Sequence, residues 1–236
     1  MIPSTLTRSA RPQPIIAIDG PTGAGKSTVA RELARRLGFT YLNTGAMYRA
    51  VAIAARRSAI DPAAPDAAAK LAPLLASITI ELEGDRVLLN HGDVTGELAL
   101  PAISDLASRL SALPAVRARM RELQQATGMR GAIVVEGRDI GTVIFPDAEF
   151  KFFLSADLRT RAERRYHELI QKGVSTTFEE VLGAIEERDQ RDQQRELAPL
   201  KPAADAIVID STNYNADEVA ARLKAYVGAS APHGRA

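Results

Sequence analysis

Short, strand-like apolar runs recur along the chain at residues 15–18 (IIAI), 39–43 (FTYLN), 132–136 (AIVVE), 149–154 (EFKFFL) and 206–210 (AIVID). The first is continuous rather than alternating, which suits a strand covered on both faces, as in a parallel sheet flanked by helices. Helical patterns lie between them. The stretch VARELARRLG ends at Gly38, PAISDLASRLSAL starts at Pro101, and Pro114 opens PAVRARMRELQQ with Val116, Met120 and Leu123 at helical spacing. Proline is favourable at a first helical position. Alternating strands and helices predict a three-layer α/β fold around a five-stranded parallel sheet, with ligand at the carboxyl ends of the strands.

One stretch breaks the alternation. Residues 77–100 read SITIELEGDRVLLNHGDVTGELAL, short β-like runs split by EGD and HGD. These are hairpin signals and predict a small antiparallel β insert over about residues 61–100. Such an insert either edges a substrate site or decorates the solvent side.

Composition narrows the partners. The 236 residues are 46% hydrophobic, enough for a proper core, and carry 30 basic against 29 acidic side chains. A formal charge of +1 gives no bulk basicity for holding nucleic acid or an anionic membrane, so a polyanion bound here is small and locally held. The absence of cysteine excludes disulfides, thiol chemistry and cysteine-ligated zinc, and is compatible with a cytoplasmic place. His91, His167 and His233 are scattered with no metal-ligand spacing. The N-terminal stretch has no apolar signal core, and no run reaches the roughly 18 residues of a membrane span. Residues 1–13 and 228–236, rich in Ala, Pro, Ser, Gly and Arg, are expected to be disordered tails around a domain over 14–227.

The chemistry begins where the first apolar run breaks into GPTGAGKST. Gly20, Gly23, Ala24 and Gly25 form a loop whose amides can converge on one anion, and Lys26, Ser27 and Thr28 open a helix whose bare N–H groups and positive dipole end point the same way. The pattern G-x-x-x-x-G-K-[ST] is the phosphate-cradling P-loop, with Lys26 for the β/γ-phosphates and a hydroxyl for Mg²⁺, from Ser27 or Thr28. A nucleoside triphosphate is the expected ligand. The plain alternative is a glycine-rich turn without one.

Charged constellations suggest a second anion. In residues 176–197, TTFEEVLGAIEERDQRDQQREL, the apolar stripe of Val181 and Ile185 continues by steps of three and four onto Arg188, Asp192 and Arg195, with Arg191 beside it. Charged runs usually form a solvated face. Alignment with a buried stripe instead predicts a polar cavity for an anionic ligand. Residues 155–173 set Arg161, Arg164 and Arg165 at i, i+3 and i+4 in a helical lid over about 157–178, which suits phosphoryl transfer by excluding water. NTGAMYR places Thr44 and Arg49 after one strand, and VEGRDIGT places Glu136, Arg138 and Asp139 after another.

So many arginines exceed the needs of one ATP. A phosphate-monoester acceptor is already ionised near pH 7, so it needs no general base, and catalysis reduces to aligning two polyanions and neutralising the charge that develops. A kinase of a hydroxyl acceptor, such as a sugar or a shikimate-like acid, is the runner-up. A nucleotide-dependent switch has no use for a second phosphate site, and the chain lacks an NKxD motif.

Taken together, GPTGAGKST, NTGAMYR, LASRLSALPAVR, EGRDIGTVIFPDA and ERDQRDQQRELAPLKPAADAIVIDST, in that order over about residues 15–226, resemble bacterial cytidylate kinases. The resemblance implies transfer of phosphate from ATP, with Mg²⁺, to CMP or dCMP, in a cytoplasmic monomer. It implies that Thr44, Arg49 and Arg138 bind the acceptor phosphate, that Ser108, Arg117, Asp139 and Arg195 read cytosine, and that Arg188 and Asp192 hold the ribose. Arg161 and Arg165 match lid positions acting on the transferred phosphate, joined by Arg191. Asp139 with arginines suits cytosine, whose N4 donor and O2/N3 acceptors distinguish it from uracil. Many relatives carry Ser at Thr44, Asp at Glu136 and Gly at Ser27. The first keeps its hydroxyl, and Ser27 fits the general P-loop pattern.

Overall fold

The computed structural model describes residues 13–230. Residues 1–12 and 231–236, including His233, lie outside the described residues. Gly228 to Ser230, read from sequence as tail, instead close the last helix.

Along the chain run β1 (Ile15–Asp19), α1 (Lys26–Leu37), β2 (Thr40–Asn43), α2 (Thr44–Arg57) and α3 (Ala67–Ser77). Then come β3 (Ile80–Glu83), β4 (Arg86–Leu89), β5 (Gly92–Asp93), α4 (Pro101–Leu110), α5 (Pro114–Gly128) and β6 (Ile133–Gly137). The chain finishes with β7 (Phe150–Ser155), α6 (Leu158–Gln171), α7 (Phe178–Gln194), β8 (Ile207–Asp210) and α8 (Ala216–Ser230). A 3₁₀ turn covers Thr95–Ala99 and a π-type turn Ile140–Ile144.

The main sheet is parallel, in the order β2-β6-β1-β7-β8. The five expected strands form it. Ile15 and Ala17 enter one core with α2, α4 and α5, while Ile16 and Ile18 enter the other with α1 and α8. All four are fully buried, which explains the unbroken apolar run. Burying each isoleucine stabilises the fold by about 2 kcal/mol. The last run departs from the expected burial on both faces: Ile207 and Val208 in edge strand β8 are exposed, and only Ile209 reaches the core.

Central β1 is followed by connections to β2 on one side and, after β6, to β7 on the other, so the crevice opens at the carboxyl end of β1, where ligands bind in such sheets. Local capping fixes where the helices begin. Asn43 accepts from the Ala46 amide, Asp157 from Thr160, and Thr177 and Glu180 form a reciprocal capping box. Helices α6 and α7 pack through a small cluster of their own that includes Ala162, Leu169, Val181 and Ile185.

The insert is antiparallel, β3-β4-β5, as the hairpin signals predict, but its strands span only Ile80 to Asp93. The earlier part of the expected stretch, Ala67–Ser77, is the helix α3, where the alanine-rich run favours helix over strand. The β4–β5 turn, Asn90-His91, has both φ angles positive (49° and 64°), the primed-turn geometry that matches strand twist. Val87 and Leu89 bury into the α2 core, so the insert is welded to the domain rather than appended. Its β3–β4 turn meets α1 through an Arg31–Asp85 ion pair of 3.0 Å. Leu82, Gly84 and Asp85 line a cavity of about 560 Å³ together with Arg49, Arg165 and Lys172. The latter three also line the cleft described next, so the insert borders it. Among the described residues no helix is long and apolar enough to cross a membrane.

Candidate active site

Glycine is required in the first loop by close backbone approach. Gly20 has φ +147° and a Cβ there would sit 2.0 Å from the Leu154 carbonyl oxygen; at Gly23, φ +79°, it would sit 2.6 Å from that of Arg161. The loop is thereby pressed between β7 and α6, with Gly25 in the left-handed region as N-cap of α1. Lys26, 5% exposed, folds back so that Nζ donates to the Pro21 carbonyl at 2.6 Å. Burial, reinforced by the Arg138 guanidinium, drives its pKa well below the ordinary lysine value. A polyanion at that nitrogen would restore the charge. Ser27 and Thr28 are exposed at the start of α1 and line the same cleft.

This cleft, about 550 Å³, is lined by the whole loop from Thr22 to Thr28 and also by Thr44, Arg49, Arg138, Arg188, Asp192 and Arg195. Ten lysines and arginines face four carboxylates in its walls. That excess of positive charge suits more phosphate than a single group carries.

The acceptor side is organised around Asp192, 2% exposed. Arg138 Nε donates to it at 3.1 Å, Arg195 Nη2 lies 3.4 Å away and Arg188 Nε 3.9 Å away. Burial alone would raise the carboxyl's pKa, but these three cations hold it below the usual value. Arg138 also donates to Thr22 Oγ1 at 2.7 Å, so one side chain bridges the glycine loop and α7. Burial, with Arg138 nearby, lowers Arg188 to about 9, and its Nη1 donates to Ser104 Oγ at 2.8 Å. Arg49 is also lowered by burial. Arg49 Nε, Arg188 Nε and Arg195 Nη2 are buried without a hydrogen-bond acceptor. Such donors are expensive to leave unmade, and a bound anion would satisfy them.

Beside this cluster Arg117 pairs with Asp139, both nearly buried. Burial raises the Asp139 pKa, opposed by Arg117 and Arg195. Thr44 lines the cleft but donates Oγ1 to the Glu136 carbonyl at 2.6 Å, and Tyr41 donates to the Glu136 carboxylate at 2.6 Å. Ser108 is 2% exposed, its Oγ has no hydrogen-bond partner, and it lies behind the lining rather than in it.

The lid arginines separate. Arg165 lines the cleft, paired with Glu168 at 2.8 Å. Arg161 instead turns beneath the glycine loop, with Nη1 donating to the Thr22 carbonyl at 3.1 Å, Nε to that of Ala156 at 3.0 Å, and an ion pair to Asp189. It does not line the cleft because protein groups already occupy its donors. Arg191 reaches sideways to Asp105 at 3.0 Å and is likewise outside the lining.

Arg164, the third lid arginine, donates to the hydroxyl and carbonyl of Ser211, and Ser211 in turn to the Ala24 carbonyl, tying α6, the turn after β8 and the glycine loop together. Several residues were not singled out from sequence. Tyr48, Ser104 and Ser111 line the acceptor side. Asp19, ending β1, accepts from the amides of Ile140 and Gly141, both at 2.8 Å, and so fixes the turn that carries Asp139. An acid directly after an apolar run is a signal for it, though strand ends are often polar.

Burial, only partly offset by those two amides, raises the Asp19 pKa to about 7. A carboxyl with a raised folded-state pKa favours folding below its unfolded value, and that contribution disappears as the pH climbs to the folded value. The stability of the wild type relative to Asp19→Asn is therefore expected to fall by up to about 4 kcal/mol between about pH 4 and pH 7, then level off. Chemical denaturation of both proteins across that range measures it. A pH-independent difference would show that Asp19 titrates normally.

Residues 16–229 match the family model described as cytidylate kinase. A cytidylate kinase of Geobacter sp. (strain M21) is 48% identical over 209 residues, covering 87% of this chain and 88% of that one. That of Geobacter sulfurreducens is 48% identical over 217 residues, covering 90% and 92%. That of Carboxydothermus hydrogenoformans is 45% identical over 217 residues, covering 90% and 96%.

Proposed function

The chain belongs to the cytidylate kinase family, and from that premise we propose that it transfers a phosphoryl group from ATP to CMP or dCMP, giving ADP and CDP or dCDP, by the following division of labour. The loop from Gly20 to Thr28 cradles the donor phosphates, and Lys26 neutralises charge on the β/γ oxygens. Thr44, Arg49 and Arg138 hold the acceptor phosphate, Arg188 and Asp192 the ribose, and Arg117, Asp139 and Arg195 the cytosine, with Ser108 buried behind them. Asp139 accepts from the N4 amino group, while the arginines donate to O2 and N3. Uracil would set its O4 against the same carboxylate, a mismatch of a few kcal/mol.

The observation that carries this reading is the single cleft shared by the glycine loop and a second cluster of arginines with unsatisfied donors. Arg138, touching Thr22 on one side and Asp192 on the other, lies between the two halves. No general base is assigned, because the acceptor phosphate arrives ionised. Arg165 closes over the moving phosphoryl group with the lid. Arg161 acts through the Thr22 carbonyl as a positioning residue, and Arg191 is joined to the site by lid movement alone. The donor set fits Mg²⁺, which keeps several waters and binds largely through substrate phosphates. Ser27, exposed at the start of α1 and lining the cleft, would hold it. Bound there, the ion supplies charge neutralisation across the transferring phosphates.

A panel of nucleoside monophosphates with ATP and Mg²⁺, followed by ADP release, tests the proposal. CMP and dCMP are expected to be turned over with kcat/KM at least about 10²-fold above UMP. Equal turnover of UMP would overturn the base assignment, and turnover of a hydroxyl acceptor alone would overturn the substrate class.

A further inference from the structure

Ser111 stands at the C-cap of α4, in the short link before Pro114 starts α5, and is 7% exposed. Its carbonyl accepts from Arg117 Nη1 at 3.2 Å, and its Oγ accepts from Arg195 Nη1 at 3.0 Å. The hydroxyl proton goes to the Ser108 carbonyl at 2.7 Å, which fixes the rotor and leaves a lone pair facing Arg195. One residue thus touches two guanidinium groups, Arg117 from α5, which pairs with Asp139, and Arg195 from the end of α7, whose charge also acts on Asp139.

The other holds on Arg195 come from its own last turn: Nε donates at 3.4 Å to the Asp192 carbonyl, and Nη2, without a hydrogen bond, lies 3.4 Å from the Asp192 carboxylate. Among the described residues, Ser111 Oγ is the side chain's one hydrogen-bond acceptor beyond that turn.

We propose that Ser111 is a positioning residue for base selection, its hydroxyl holding Arg195 in the one arrangement beside Arg117 and Asp139 that accepts cytosine and rejects uracil. This rests on the reading of Arg117, Asp139 and Arg195 as the base contacts. Removal of Oγ frees Arg195 while leaving the Ser111 carbonyl, and so Arg117, in place. A freed guanidinium reaches acceptors on either pyrimidine, and discrimination falls with its orientation.

Steady-state kinetics of Ser111→Ala with CMP and UMP at saturating ATP and Mg²⁺ test this. KM for CMP is expected to rise about tenfold and the CMP-over-UMP ratio of kcat/KM to fall about tenfold, with kcat for CMP and KM for ATP within about twofold. Ser111→Thr keeps the hydroxyl and is expected to restore most of the ratio. An unchanged ratio in Ser111→Ala, an equal loss with both nucleotides, or the same loss in Ser111→Thr overturns the inference. Asp139→Asn and Arg195→Ala separate the levels. If they abolish discrimination and Ser111→Ala does not, the role of Ser111 fails alone, whereas if they too leave it intact, the base-site reading fails with it.

Discussion

Lys26→Met is expected to lower kcat by about a thousandfold without lowering the melting temperature. The two effects have one cause. Lys26 is buried with a depressed pKa, so the empty protein holds an ammonium group at the expense of its hydration. Methionine fills a similar volume without that penalty, at the cost of one hydrogen bond to the Pro21 carbonyl worth about 1 kcal/mol. Turnover, however, loses the one cation placed inside the glycine loop. Activity retained to within tenfold would mean that the arginines of the cleft carry the charge neutralisation by themselves. A large drop in melting temperature would mean that the loop needs Lys26 to fold.

Asp192→Ala is expected to reduce kcat/KM for CMP by at least about a hundredfold while changing the affinity for ATP by less than about threefold. It is also expected to destabilise the fold by about 3 to 5 kcal/mol, because three guanidinium groups lose the buried carboxylate they share. Arg188→Ala makes a useful contrast. It removes a desolvated cation whose pKa is already depressed, so CMP use should fall similarly with a much smaller loss of stability. Steady-state kinetics and equilibrium unfolding of both variants read the two effects separately. Were kcat/KM preserved in both and only the melting temperature reduced, the row of charges on α7 would be scaffolding rather than a binding surface.

That row was legible because a helix repeats. Val181 and Ile185 pack against α6, and continuing their stripe leads to Arg188, Asp192 and Arg195, all of which line the cleft. Asp189, one position off, was not singled out, yet it is buried against Arg161. At Asp189 the contact comes from Arg161 of α6, and no spacing rule reveals a partner helix. The lid shows the same limit. Arg161 and Arg165 lie at helical spacing, but the loop's close approach at Gly23 places Arg161 beneath it and leaves Arg165 in the cleft. Ser104 and Ser111 escaped notice because a serine gains its role from the arginine beside it, and both arginines come from α7, more than eighty residues later.

Sequence by itself determined the strands, their parallel arrangement, the insert's hairpins, the glycine loop and the arginines of the acceptor side. These follow from local rules: continuous burial, helical period, turn chemistry and an anion's need for converging amides. Tertiary structure decided which charges face the cleft and which are neutralised inside the protein. It alone set α4 against α7, Asp19 against the turn at Ile140 and Arg138 across Thr22, since such pairings depend on how separate elements dock. A charge's work is fixed by the low-dielectric surroundings and partners that docking provides, and no stretch of sequence carries these alone.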